Sequence, residues 1–249
     1  MTPVLAQSQT APVEQPIDGP LQLETGVVLE SLTNGNSGWQ EYYLRGKKTF
    51  APRNTIYWGY RHTERFDLQD EEGTLGGYFP LSEELTGNLE LSLCPSHQVL
   101  PRYSALGSLN YQLGDGWGLE GALNNRRYTF DNVFIERFTL EKYFDSNRMA
   151  YSLWLSQSDT GGSGTSHSLQ FTHYYGDDEQ NSLNISGSFG NQVETVAPGV
   201  QRPSNSTGVA LWGVQEVSPG WAITYGYGYN DQDPFYTRQG FNFGLRADF

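Results

Sequence analysis

The amino-acid sequence predicts an all-β protein: a transmembrane antiparallel up-and-down β-barrel of about fourteen strands, closed by its C-terminal strand. From residue 20 onward apolar and polar residues alternate with period two, which is the period of a strand. The mean hydropathy of −0.56 comes with an aromatic content of 14% and 29 glycines. A barrel whose strands face lipid on one side and a polar lumen on the other has this composition.

The alternation divides the chain into fourteen segments, each about long enough to cross a bilayer as a tilted strand, which takes roughly 9–11 residues. The segment WAITYGYGY, for example, places Trp221 and Ile223 on one face and Ala222 and Thr224 on the other. The predicted strands are 20–31, 39–50, 54–66, 73–80, 85–94, 102–113, 117–127, 132–144, 148–158, 166–176, 181–190, 206–217, 221–230 and 238–249.

Two of these segments, 132–144 and 206–217, follow the alternation poorly. In the first, Glu136 and Lys142 share a face with Phe138. A β-bulge or a misplaced boundary explains this, and twelve strands remain an alternative.

The connections between the segments alternate in length. Six are predicted to be tight, and the other seven are mostly longer, with 191–205 the longest. Short turns on one side and long loops on the other are typical of outer-membrane barrels and predict that both termini lie in the periplasm. A soluble β-sandwich is the alternative, but its strands are usually five or six residues long. Aromatic residues at the predicted strand ends favour the barrel, since they resemble interfacial girdles: Trp39, Phe50, Phe66, Trp117, Phe144, Trp221 and Phe249.

Charge and cysteine content exclude several classes of function. The chain has 15 Lys and Arg against 28 Asp and Glu, a net charge of −13, so nucleic acid is not the expected partner. Cys94 is the single cysteine, which excludes an internal disulfide and a multi-cysteine metal site. The sequence predicts neither a cofactor nor a metal site.

Residues 1–19 contain three prolines and little periodicity, so we expect them to be disordered and separate from the barrel at 20–249. They read either as the remnant of a signal peptide, with Ala6 the last residue removed, or as a polar periplasmic linker.

The C-terminal strand ends in an aromatic residue that closes an alternating series. Such an ending resembles the signal by which bacterial barrel-assembly machinery takes up its substrates. The residues that carry it are Phe241, Phe243, Leu245 and Phe249.

Several stretches together resemble the YaiO family of outer-membrane β-barrel proteins, over residues 21–249. They are WQEYYLRGKK, RFDLQDEEGTLGGYF, LPRYSALGSLNYQLGDGW, LEKYF, GGSGTSHSLQFTHYYGDDEQNSL and FYTRQGFNFGLR. The resemblance implies a location in the bacterial outer membrane and contact with its lipid and lipopolysaccharide. Some members of the family are linked to envelope polysaccharide or glycosyltransferase systems, which implies a substrate class and no mechanism.

If the apolar positions face lipid, the alternate positions face the lumen, because an arginine at the bilayer midplane costs about 2–4 kcal/mol. These groups form either a bracing lattice of ion pairs or a path for an anionic or sugar ligand, contacted by Arg, Tyr and Trp side chains. The candidate lumen residues are Tyr43, Arg45, Lys47, Tyr57, Arg61, Arg65, Glu120, Arg126 and Arg246.

An enzymatic alternative centres on His167, which lies between Ser166 and Ser168 near a predicted outer loop. Adjacent strand residues point to opposite faces, so a catalytic partner would have to come from another strand. Asp67, Asp70, Glu71 and Glu72 are expected in one solvated acidic loop, without the spacing of a calcium site.

Taken together, the sequence favours a non-enzymatic transport, docking or accessory component for envelope or secreted polysaccharide. The two other hypotheses are an enzyme acting on lipid or glycan near His167 and a structural or adhesive barrel that displays loop 191–205.

Overall fold

The chain folds into one closed antiparallel barrel of fourteen strands, which confirms the predicted fold class and strand number. The computed structural model describes residues 19–35, 37–160, 162–176, 180–197 and 200–249. Apart from Gly19, the expected disordered segment 1–19 therefore lies outside the described residues. The strands are β1 Leu21–Leu32, β2 Trp39–Ala51, β3 Asn54–Arg65, β4 Leu68–Pro80, β5 Leu85–Leu93, β6 Tyr103–Gly114, β7 Trp117–Arg127, β8 Asn132–Phe144, β9 Asn147–Ser158, β10 Gly162–Tyr175, β11 Asn181–Ala197, β12 Val200–Ser218, β13 Trp221–Asp233 and β14 Tyr236–Asp248.

Each strand pairs with its neighbours in sequence, and β1 pairs with β14 to close the barrel. The closure includes the last residue: the Leu21 amide donates to the Phe249 carbonyl at 3.0 Å, and the Phe249 amide donates back at 2.8 Å. We call the end of the barrel at Leu21 and Phe249 the terminal rim, and the opposite end the distal rim.

The two faces of the barrel wall invert the pattern of a soluble protein. Outward positions hold exposed apolar side chains such as Leu89 and Leu91, both more than 60% exposed. Inward positions hold polar side chains such as Asn88 and Ser92, which are buried. A continuous exposed apolar surface of this kind requires a hydrocarbon environment. Within the described residues there is no helix long and apolar enough to cross a membrane.

The connections at the distal rim differ from the predicted long loops. β4 begins at Leu68 rather than at residue 73, and β10 begins at Gly162 rather than at residue 166. Of the expected acidic loop only Asp67 lies in a turn, while Asp70, Glu71 and Glu72 belong to β4. Ladder hydrogen bonds do not depend on apolar side chains, so a strand continues past the apolar positions that reveal it in the sequence.

The two irregular segments have different explanations. β8 pairs with β7 and β9 without a register shift, so it contains no bulge. Glu136 therefore lies on the outward face, as the alternation of the sequence places it. β12 is longer than predicted, from Val200 to Ser218, and its register shifts near Glu216 where it meets β13. The predicted loop 191–205 is therefore mostly the end of a long β11–β12 hairpin.

Candidate functional site

The inner wall of β2, β3 and β4 is held by ion pairs between neighbouring strands. Arg61 of β3 contacts Glu41 of β2 at 3.2 Å and Glu72 of β4 at 2.9 Å. Arg65 lies 3.8 Å from the same Glu41 carboxylate, and the Thr63 hydroxyl donates to it. Both carboxylates are buried; Arg61 is their shared partner, and Arg65 supplies the second positive charge of the cluster.

Similar pairs continue around the barrel. Arg137 of β8 pairs with Glu120 of β7, and Arg148 of β9 lies 2.8 Å from Glu141 of β8. These contacts join adjacent strands and run along the wall rather than across the lumen. A fourteen-stranded barrel is closer in size to channel-forming barrels than to eight-stranded barrels filled by side chains.

Tyr43 and Tyr57 lie flat against the wall and do not present their rings to a ligand. They are only 3% and 5% exposed. The Tyr43 hydroxyl donates to Glu24 of β1 at 3.0 Å, and the Tyr57 hydroxyl donates to Glu90 of β5 at 3.0 Å. Each tyrosine therefore braces neighbouring strands, which favours the bracing alternative over a sugar contact at these two residues.

The remaining candidate lumen residues occupy half-buried inner positions. The Arg45 guanidinium lies 4.3 Å from the centre of the Tyr43 ring. In the register of the sheet, Glu24 of β1 lies between Arg45 of β2 and Arg246 of β14. Lys47 pairs in the ladder with Gln22, next to this group. Arg126 lies on the inner face of β7, opposite Ser104 of β6.

The inner wall of β10 to β13 has a different chemistry. Over the inner positions of Gly164–Tyr174, Ser182–Gln192, Ser204–Val214 and Ala222–Gln232, no side chain is Asp, Glu, Lys or Arg. The wall there consists mostly of hydroxyls, carboxamides and small residues, with Trp212 near its middle. We call this surface the neutral wall.

The β11–β12 hairpin bends over the distal mouth. β11 leaves β10 at Gly190, whose φ of 131° is a backbone conformation that glycine adopts readily. Gly164 of β10 lets the bent strand pass, because a Cβ there would lie 2.5 Å from the Asn191 carbonyl oxygen.

Beyond the bend the hairpin contacts strands that are not its ladder partners. Val193 packs with Val133 and Ile135 on the inner face of β8. On the other side, the Tyr236 hydroxyl of β14 donates to the Thr195 carbonyl at 3.3 Å. The described parts of the hairpin, 191–197 and 200–205, thus span part of the mouth, with Gln192, Gln201 and Ser204 buried. Residues 198–199 of the loop expected to be displayed lie outside the described residues.

A second segment, 94–102, also packs inside the distal rim. The fully buried Asp70 accepts hydrogen bonds from the backbone amides of Gln98, Val99 and Leu100, at 2.7 to 2.9 Å. Cys94 packs with Val99 and Leu100, and burial raises the pKa of its thiol. One carboxylate therefore anchors most of this connection.

Replacing Asp70 with Ala should release segment 94–102, because three backbone amides lose their acceptor, and the two that are buried, of Val99 and Leu100, cost about 1–3 kcal/mol each. We expect faster trypsin cleavage after Arg102 in the folded barrel. Asp67→Ala, in the exposed turn, is the matched control and should be cleaved like the wild type. Equal cleavage of the Asp70 variant and the wild type would contradict the anchoring role.

Trp39 lies in the distal mouth, not in an aromatic girdle as predicted. It is 3% exposed and lies between the guanidinium groups of Arg65, at 4.7 Å, and Arg238, at 5.0 Å. Phe66 and Tyr236 pack edge-on against its ring. The other five predicted girdle residues are exposed: Phe50, Trp117, Phe144, Trp221 and Phe249.

The model of the YaiO membrane beta barrel domain matches residues 22–195, which is more than half of the chain. The chain belongs to this family. That membership and the porin-like folds below place this YaiO-family barrel in the outer membrane. No protein of curated function matches its sequence.

Solved structures share the fold of the YaiO-family barrel at very low sequence identity. The monoaromatic hydrocarbon channel CymD is 10% identical, with a TM-score of 0.60 over 95% of this chain and 89% of that one. Omp33 of Acinetobacter baumannii is 9% identical, with a TM-score of 0.57 over 94% and 100%. A bacterial polysaccharide outer membrane secretin is 8% identical, with a TM-score of 0.56 over 94% and 100%.

His167 of the YaiO-family barrel lies on the outward face. Its ring stacks on Tyr151 and Phe189, and its Nδ1 lies 2.7 Å from the Tyr151 hydroxyl. Ser166 and Ser168 point to the opposite face, so neither can pair with it as a nucleophile. Across the described ranges, no group of three or more His, Cys, Asp and Glu residues could hold a metal ion.

The predicted assembly residues of the YaiO-family barrel form an outward row on β14. Phe241, Phe243, Leu245 and Phe249 are all exposed on the lipid-facing side. Their interaction with assembly machinery stays a prediction.

Sequence reasoning missed three features of the distal mouth: the inward hairpin, the Asp70 anchor, and the stack of Trp39 with Arg65 and Arg238. The glycines of β10 and β11 could have indicated the first, since they lie where two backbones approach. The other two depend on contacts between residues far apart in sequence, for which no local pattern exists.

Proposed function

We propose that this outer-membrane barrel is a non-enzymatic passage for an envelope or secreted polysaccharide. The observation that carries the proposal is the neutral wall, an uncharged surface inside the barrel that is rich in hydroxyls and carboxamides. Such groups donate and accept hydrogen bonds, as the hydroxyls of a glycan also do. On the ion-paired wall opposite it, Arg61, Arg137 and Arg148 form salt bridges with carboxylates of neighbouring strands, so much of the charge there is already neutralised.

Three further points support this proposal. The polysaccharide secretin shares the fold, which is therefore compatible with glycan passage. His167 faces outward between two aromatic rings, which weighs against catalysis there. The inward packing of Gln192, Val193 and Ser204 in the β11–β12 hairpin likewise weighs against an adhesive role for a displayed loop.

The proposal includes an orientation and partners. The terminal rim faces the periplasm, where the system that makes the polysaccharide delivers it, and the distal mouth faces the cell exterior. The outward apolar face contacts outer-membrane lipid and lipopolysaccharide, and barrel-assembly machinery inserts the chain through β14.

Deleting the protein from cells that produce it should reduce polysaccharide at the cell surface and leave its chemical composition unchanged. Composition analysis of surface and periplasmic glycan measures both quantities. An unchanged amount of surface glycan with an altered composition, or altered lipid, would overturn the proposal in favour of an enzyme. Unchanged amount and composition would overturn it as well.

A further inference from the structure

We propose that the neutral wall contains a binding subsite for one uncharged sugar unit, with Trp212 as its platform. The inference rests on the proposed function and adds the substrate class, an uncharged glycan, and the place where it binds. It follows from three neighbouring rows of inner residues that cross β10 to β14.

The first row holds Trp212 between two carboxamides. Ladder pairs place Asn184 of β11, Trp212 of β12, Gly226 of β13 and Asn242 of β14 side by side on the inner face. Asn184 is fixed, because it accepts from the Thr172 hydroxyl at 2.7 Å and donates to the Trp212 carbonyl at 3.4 Å. Trp212 is partly exposed on the lumen side.

The second row, toward the distal rim, has small side chains. It contains Ser186, Ala210 and Gly228. A Cβ built on Gly228 would meet no atom within 4 Å, so the space above this row is open. At its end the Glu30 side chain covers Gly240 and closes the row.

The third row again has polar side chains: Ser188 and Asn230 lie on either side of Gly208. Asn230 donates to the Ser206 hydroxyl at 3.0 Å, while its Oδ1 has no hydrogen-bond partner among the described residues. The outer rows lie four residues apart along each strand, about 13 Å at 3.3 Å per residue. Between them the small row forms a trough.

This trough matches the chemistry of a sugar ring. A pyranose presents C–H groups on a face, which pack on an indole, and hydroxyls at its edge, which bond to Ser and Asn. The inner positions of β10 to β13 carry no charged side chain. Arg238 of β14, the ladder partner of Asn230, is buried and lies 3.4 Å from Glu30, so its charge is already balanced and the trough offers no partner to a carboxylated sugar. We therefore expect an uncharged unit to bind better than an anionic unit of the same size.

Filling the trough tests the inference. Gly228→Val places a side chain in it, at a position where an added Cβ meets no atom within 4 Å. Gly187→Val is the matched control, since a Cβ on Gly187 also meets nothing within 4 Å but lies on the outward face. The full chain in detergent is titrated calorimetrically with a linear hexamer of glucose and with a hexamer of a uronic acid.

We expect the wild type and Gly187→Val to bind the glucose hexamer alike, and Gly228→Val to bind at least tenfold more weakly. Trp212→Ala should lose binding, while Trp212→Phe should keep part of it. Equal binding by Gly228→Val and the wild type, tighter binding of the uronic acid, or no binding of glucose would overturn the subsite. If any of these binding results is obtained while the deletion strain shows reduced surface glycan, the subsite is rejected and the proposed polysaccharide passage is retained.

Discussion

Shortening the β11–β12 hairpin should raise the ion current through the barrel several-fold. Gly190 and Ser206 are ladder partners, so residues 191–205 can be replaced by a two-residue Asn-Gly turn that continues both strands. The change removes the contacts of Val193 with β8 and of Thr195 with Tyr236, which hold the hairpin across the mouth. Single-channel recording in a planar bilayer measures the effect.

The control for the shortened hairpin changes the outward surface and leaves the mouth intact. Phe189→Leu, at an exposed position of the same strand, should conduct like the wild type. If the shortened barrel and the wild type have the same conductance, the hairpin does not limit passage and its position across the mouth is irrelevant to transport.

Removing the Arg61 side chain should destabilise the barrel by about 3–5 kcal/mol, since it leaves two buried carboxylates without their shared partner. Arg61→Ala should therefore unfold at a lower urea concentration in lipid vesicles and lose heat-modifiable migration on a gel at a lower temperature. Glu41 and Glu72 are both buried, so water cannot readily replace the guanidinium.

Neutralising one of the carboxylates separates this effect from lost packing. The double variant Arg61→Ala, Glu72→Gln should recover most of the lost stability, because Glu72 then carries no charge and Glu41 keeps Arg65 at 3.8 Å. Arg127→Ala, at an exposed end of β7, should stay within about 0.5 kcal/mol of the wild type. Equal stability of Arg61→Ala and the wild type would contradict the bracing role.

The sequence predicts the barrel because period-two alternation repeats in every strand and each repeat supports the others. It places most strand ends near the terminal rim well, since apolar residues run up to short turns such as the one after Phe144. At the distal rim it fails, because strand segments such as 68–72 lie beyond the apolar positions and their polar residues resemble a loop.

The candidate site was only partly accessible to sequence reasoning. The inward position of Arg61 follows from the alternation of polar and apolar residues. Which carboxylates it contacts depends on the register between strands. The sequence left Tyr43 between a bracing and a ligand-contacting role; its ring lies flat against the wall, because Gly26 and Gly244 next to it leave room for it. The division of the interior into charged and neutral walls becomes visible only when strands distant in sequence are placed side by side.

The most direct test of the account is the flux of an uncharged oligosaccharide through the barrel with the shortened hairpin. Lipid vesicles that contain this variant are loaded with a labelled glucose hexamer, and its release is followed over time. The account predicts release well above that of protein-free vesicles, and slower release when Gly228→Val is added. Retention of the oligosaccharide by vesicles whose barrels are folded and conduct ions would contradict a glycan passage through this interior.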